Sequence, residues 1–316
     1  MRVRTQCKEQ PHSCKVSRRT TCCSRPTPAG FAHFRWRLSR NVSRLFPHMA
    51  LAQTRALNVL ALLLSLCVLG GCTVLQASKL LAPETFGLVQ VTPSIYVEAG
   101  TDVETQTKLR EAMMKAESAI RTAYGSVVSR PIVNTCISER CYEAFGGRGS
   151  VAKVYGDRIL LSPRGLTWHF LAHEWSHVEI RNRLTVSAWW RMPQWFDEGV
   201  AVSVSEAPEH SESHWQFLVA SDIPRPTADE LHTFKSLNQW LAAVHKYGED
   251  TNIQRKAKGQ PEIRPVYAAA GHELRPWLAT AGVQGLLTFI AKLNAGEEFG
   301  SAYQTAKRGL SAAGGQ

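Results

Sequence analysis

Acidic residues are almost missing from the first 71 positions. Residues 1–71 hold 12 Lys and Arg against the single acid Glu9, whereas residues 72–316 hold 25 of each sign. The formal charge of +11 on the 316-residue chain therefore belongs to its front end. Such a charge invites a nucleic-acid partner, but the neutral remainder gives that class no support. An apolar run long enough to cross a bilayer is also missing: Val59–Leu69 has 11 residues, where a spanning helix needs about 20. No Cys-x-x-Cys pair with a matching second pair occurs, so Cys7, Cys14, Cys22 and Cys23 do not read as a metal site. There is no internal repeat. With 44% hydrophobic and 20% charged residues, the chain is neither disordered nor collagen-like. The stretch beyond position 71 is long enough for one large domain or two small ones.

The front end does contain an address. Val59–Leu69 has the length of an export-signal core, and a signal counted from Met49 to Gly71 has 23 residues with Arg55 near its start. Leu69-Gly70-Gly71-Cys72 resembles the lipobox of bacterial lipoproteins. That resemblance implies a lipid on Cys72, attachment to a membrane through it, and a place in the cell envelope. Thr73, where an Asp would be the inner-membrane mark, favours the outer membrane facing the periplasm in a Gram-negative cell. Residues 1–48 show no helical or strand period and read as an extension ahead of a start at Met49. Residues 49–71 are then the signal, 72–84 a tether and 85–316 the working domain. Outside the cytoplasm, Cys136 and Cys141 are expected to pair as a disulfide.

Within that domain, β-forming residues at 88–91 and 95–97 predict two short strands or a hairpin. Thr101 or Asp102 opens a helix running to Tyr124, with Leu109, Ala112, Met113, Ala116, Ile120 and Ala123 on one face and Gly125 as its stop. Strands are expected over 126–133 and over 151–161, the latter turning at Gly156-Asp157. Helices come next at 166–183 and 193–204, with Pro193 at the first helical position. A polar loop is expected at 205–226, a capping box at Thr227 to Glu230, and helices at 236–246, 265–281 and 283–294. Strands early and helices late give an α+β fold, a small N-terminal mixed sheet with a mostly helical C-terminal part.

The chemistry-bearing pattern is His173-Glu174-Trp175-Ser176-His177, of the form HExxH. With 11 His and 20 Glu in the chain, its chance expectation is only about 0.02. Residues four apart share a helix face, so both imidazoles can reach one ion. Glu174 projects from the edge of that face, where it can take a proton from metal-bound water. Zn²⁺ suits nitrogen ligands plus one carboxylate, with a fourth position left for water. His169 cannot share the ion with His177, because the two lie about 12 Å apart along a helix; it reads as structural or cleft-lining. Trp175, Trp195 and Phe196 read as core.

A second segment, Trp195-Phe-Asp-Glu198-Gly-Val-Ala201, lies downstream of the first. HExxH with Trp-x-x-Glu-Gly-x-Ala beyond it resembles the gluzincin metallopeptidases, the peptidase MA-like group. The resemblance covers roughly residues 150–285. It implies a zincin-like fold, a Zn²⁺ cofactor held by His173, His177 and Glu198, Glu174 as catalytic acid and base, and a peptide or protein substrate. It also implies a Tyr on a later helix to steady the oxyanion. Tyr267, in Val266-Tyr-Ala-Ala-Ala270, matches loosely, and His272 competes for the role. Finally it implies an edge strand ahead of the metal helix that pairs with extended substrate, here residues 157–162, with Gly146-Gly147 freeing the adjoining loop.

Two departures stand out. Twenty residues separate His177 from Glu198, a spacing that is not the aminopeptidases'. Val202 stands where thermolysin-like chains carry an orienting Asp, so the orienting partner must come from elsewhere, with Asp197 and Glu179 as the candidates. The expectation is an exported, membrane-tethered zinc peptidase, its rival a zincin-scaffold lipoprotein that binds or assembles partners without proteolysis.

Overall fold

A computed structural model describes residues 78–308. The extension, the signal and Cys72 lie outside the described residues.

The chain is mixed α and β, mostly helical, around one five-stranded sheet. The strands are β1 (Leu88–Thr92), β2 (Ile95–Glu98), β3 (Ile132–Thr135), β4 (Ala152–Tyr155) and β5 (Arg158–Leu161), in the order β1-β2-β3-β5-β4. The inner pairings are parallel and the two outer ones antiparallel. The helices are α1 (Val103–Tyr124), α2 (Glu139–Ala144), α3 (Trp168–Arg183), α4 (Val186–Arg191), α5 (Gln194–Ser205), α6 (Glu212–Ala220), α7 (Ala228–Leu231), α8 (Leu237–Val244), α9 (Asp250–Ala257), α10 (Pro265–Asn294) and α11 (Phe299–Arg308). Among the described residues, no helix is long and apolar enough to cross a membrane.

Helix α1 starts where Asp102 accepts a hydrogen bond from the Thr105 amide at 2.8 Å, and it ends at Gly125 in the left-handed conformation. Its stripe Leu109, Ala112, Ala116 and Ile120 is buried. Helix α1 packs on α3, α3 on α5 and α5 on α10, which stacks the core in layers behind the sheet. Helix α10 is two helices joined at Gly282, whose φ of 59° and ψ of −172° break the helical path between the segments expected as separate.

Several expectations are corrected. The strand expected at 126–133 is shifted to β3, because the amides of Val128 and Ser129 donate to the buried Glu179 carboxylate instead of to a neighbouring strand. The 205–226 loop contains α6, opened by Ser211 accepting from the His214 amide and anchored by buried Leu218 against Ile263 and Ala268. At Thr227 the cap forms, but Glu230 turns to Lys246 and Tyr247; a complete capping box is made by Ser236 and Gln239. Pro193 caps α5 from outside and is not its first residue. The tether expected over 72–84 gives way to packed structure by Leu80, which is buried with Leu88, Cys136, Tyr142 and Leu160. Cys136 and Cys141 form a disulfide. It brackets the Ser138 cap of α2, a helix too short to show a period in the sequence. Strand β5, expected as the substrate edge, is interior between β3 and β4; the edge on that side of the sheet is β4, its hairpin partner, and β1 is the other.

Candidate metal centre

Two helices supply the centre. Helix α3 carries His173, Glu174 and His177, and α5 carries Asp197 and Glu198. Phe196 fixes the roll of α5 by packing its ring on Phe289 at 4.7 Å and Trp277 at 5.5 Å. Gly199 lets α10 close over α5, since a Cβ there would sit 3.0 Å from Leu274 and 3.1 Å from the Ala270 carbonyl. The Gly in the Glu-Gly-x-Ala segment is thus a packing requirement that fixes where Glu198 lies.

Three ligand atoms converge. Nε2 of His173 lies 3.3 Å from Nε2 of His177 and 3.3 Å from Oε2 of Glu198, and Nε2 of His177 lies 3.8 Å from that same oxygen. Ligands about 2.0–2.1 Å from a tetrahedral Zn²⁺ sit about 3.3 Å from each other. All three residues are buried. Oε2 of Glu198 has no hydrogen-bond partner, while Oε1 accepts from Nε2 of Gln194 at 3.0 Å. A buried carboxylate oxygen without a partner is costly unless a cation meets it. The donor set, its spacing and this orphaned oxygen all fit a zinc ion.

Asp197 orients the second imidazole. Nδ1–H of His177 donates to Oδ2 of Asp197 at 2.9 Å, so the Nε2 side of the ring is the one turned to the other ligands. Burial opposes a proton on the His177 ring, but the carboxylates of Asp197, Glu198 and Glu174 outweigh it and push its pKa up to about 10. Glu198 is held below the usual carboxylate range: burial works against this, and the His173 and His177 rings prevail. Glu179, the other residue considered for orienting a ligand, accepts instead from the Val128 and Ser129 amides, the Ser129 hydroxyl and Arg183. It anchors the chain ahead of β3.

Glu174 makes no hydrogen bond or ion pair among the described residues. Burial pushes its pKa up, against the pull of His173 and His177 and with help from Glu198 and Asp197. A carboxyl group with a raised pKa beside three ligands is suited to accepting and returning a proton. Tyr267 lies beside the same group of residues, its ring 6.1 Å from that of His173. Burial, and then the Glu198 and Glu174 charges, raise its pKa, so the phenol keeps its proton and can donate. His272 points elsewhere: its Nδ1 meets Glu212 at 3.0 Å and its ring stacks on Trp215.

Sequence reasoning missed His210. It lies on a short turn, Pro208–His210, inside the region expected to be loop. Its buried ring stacks on Tyr267 at 4.9 Å with 13° between planes, and it is 6.0 Å from the His173 ring. Burial, then the neighbouring His173 and Arg264, hold its pKa well below the ordinary value, so the ring is neutral. No spacing rule ties it to HExxH; tertiary packing alone brings it there. His169 is structural, with Nδ1 2.7 Å from the Ser205 carbonyl, and so ties α3 to the end of α5. Trp175, Trp195 and Phe196 are buried core residues, Trp175 also donating to Ser129.

A second group of potential ligands, Glu98 with Cys136 and Cys141, is structural. The sulfurs are bonded to each other, and the Glu98 carboxylate accepts from the amides of Ile137 and Ser138 and from the Ser138 hydroxyl. No family model and no curated protein matches this chain.

Proposed function

We propose that the chain is a zincin-like, zinc-dependent peptidase that hydrolyses peptide bonds, exported and held at the cell envelope by a lipid on Cys72. The observation that carries the reading is the meeting of His173, His177 and Glu198 at tetrahedral-edge distances, with a buried Glu198 oxygen among them that accepts no hydrogen bond and Glu174 alongside. The resemblance of both motifs to gluzincins points the same way.

A bound Zn²⁺ supplies a Lewis acid that lowers the pKa of water and polarises a carbonyl. The protein does the rest. Glu174 takes the proton of the attacking water and returns it to the leaving amine. Tyr267 donates from its phenol to the carbonyl oxygen as charge builds there, and the neutral His210 ring packed against it fixes its direction. Asp197 holds His177 in one tautomer, and Gln194 holds Glu198 in one rotamer.

Metal analysis of the wild type and Glu174→Gln, together with cleavage of a peptide library by both, tests this. One zinc per chain in both proteins is expected, with cleavage lowered about 10²- to 10⁴-fold in the variant. A chain that binds no zinc sinks the proposal. Zinc in both proteins with no cleavage by either leaves a scaffold that only binds. Release of the protein from membranes by Cys72→Ser tests the anchor.

A further inference from the structure

Beside the ligand His177 lies a cavity of about 380 Å³, within the size range of small-ligand pockets. Its walls come from three elements. The free edge strand β4 contributes Val154; α3 and the residue after it contribute His177 and Leu184; α4 contributes Val186, Trp189 and Trp190. It thus touches both the metal centre and the sheet edge, and an extended peptide alternates its side chains along such an edge.

The chemistry of the walls is one-sided. Trp190 is 81% exposed and Val186 75% exposed, and Ala188 is the only buried residue of α4. Both large side chains therefore leave apolar surface in water at the mouth of a cavity, where covering it is favourable by about 25 cal/mol per Å². At the rim stands Arg181, exposed and without an ion-pair or hydrogen-bond partner for its guanidinium among the described residues. Gly156, in the β4–β5 turn, takes the left-handed φ of +61° that lets the strand turn beside Arg181.

We infer that this pocket selects the substrate. It takes one bulky apolar side chain, aromatic or leucine, from the peptide residue next to the scissile bond, and Arg181 turns away lysine and arginine. The inference rests on the peptidase reading for the register of the peptide. It commits the protein to peptides with a large apolar residue beside the cleaved bond, with selection by attraction at the walls and repulsion at the rim.

The test measures fluorescence anisotropy of fluorescein-labelled Gly-Ala-Ala-Xaa-Ala-Gly on the zinc-loaded Glu174→Gln protein, with Xaa as Phe, Leu, Ala or Lys. Wild-type cleavage of the same peptides is followed in parallel. Phe and Leu peptides are expected to bind at least tenfold more tightly than Ala, and Lys more weakly than Ala. Trp190→Ala should cut the Phe-to-Ala ratio at least threefold, and Arg181→Glu should bring Lys above Ala. Both side chains are exposed, so neither change threatens the fold. Equal binding of Phe and Ala, or a ratio unmoved by Trp190→Ala, overturns the inference. It is overturned equally if Trp190→Ala weakens binding to phosphatidylglycerol vesicles and leaves the peptide ratio intact, for Trp190 then faces lipid. The two proposals fail separately. Cleavage without preference for Phe removes the pocket alone, and Phe-selective binding without any cleavage removes the peptidase reading together with the register, leaving a pocket that only binds.

Discussion

Asp197 accepts a hydrogen bond from Nδ1 of His177 at 2.9 Å, and the next residue, Glu198, presents its free oxygen 3.8 Å from the opposite nitrogen of the same ring. One turn of α5 thus grips both ends of a single imidazole. Asp197→Ala should lower zinc affinity about 10- to 100-fold, and Asp197→Asn by less, because outer partners of this kind tune their ligand by that much. Competition with a chromophoric chelator gives the number. An unchanged affinity in the alanine variant would show the pairing to be idle.

Zinc uptake should release a proton. Without metal, His177 keeps its proton to about pH 10, and a ligand nitrogen must give that proton up. Apparent zinc affinity should therefore rise about tenfold per pH unit between pH 7 and 9. The sign for stability is the reverse. The His177 pKa is raised above its ordinary 6.5, so the stabilisation of the metal-free protein is complete below pH 6.5 and is lost as pH climbs through about 10. Calorimetry in buffers of different ionisation enthalpy counts the protons; a count of zero at pH 7.5 contradicts the reading.

Tyr267→Phe removes the phenolic donor and leaves the ring that stacks on His210. Peptide cleavage is expected to fall about 10²- to 10³-fold in kcat, the usual cost of one oxyanion donor, with KM little changed. His210→Phe keeps a ring against Tyr267 and should cost less. If the His210 variant loses more than the Tyr267 variant, the imidazole is the principal donor.

Gly282→Ala should destabilise the fold by about 1–3 kcal/mol, because the backbone there adopts a conformation open almost only to glycine. Nothing lies within 4 Å of the added Cβ, so the cost is conformational and not steric. Urea unfolding of the variant reads it directly. Reduction of Cys136–Cys141, which closes a loop of sequence separation 5, should cost about 2 kcal/mol by loop entropy. Thermal melts with and without dithiothreitol measure that loss.

The legible features were local ones. The His173–His177 spacing, the start and stop of α1 and the break at Gly282 each depend on a few neighbouring residues, and the structure has them where the spacing put them. Glu198 joins the two imidazoles through the pairing of α3 with α5, and its motif carried that information. His210 had no such signal, since 33 positions separate it from His177 and only the stacking of Tyr267 brings it in. The edge was misplaced by one strand, although a sign was present. Ile159, Leu160 and Leu161 are buried in succession, as in a strand covered on both faces, whereas β4 is only partly buried. Glu179 shows the opposite failure: it looked like part of the site and serves instead to bend the chain into β3.

The free flank of β4 has a cost apart from any substrate. A row of unpaired backbone amides and carbonyls is a template for a second copy of the same strand as readily as for a peptide. Strand β4 is only four residues long, carries Lys153 and ends at the Gly156 turn, all features that shorten or charge such an edge. Self-association of the purified protein should therefore be weak, grow with concentration, and recede when an extended peptide occupies the groove.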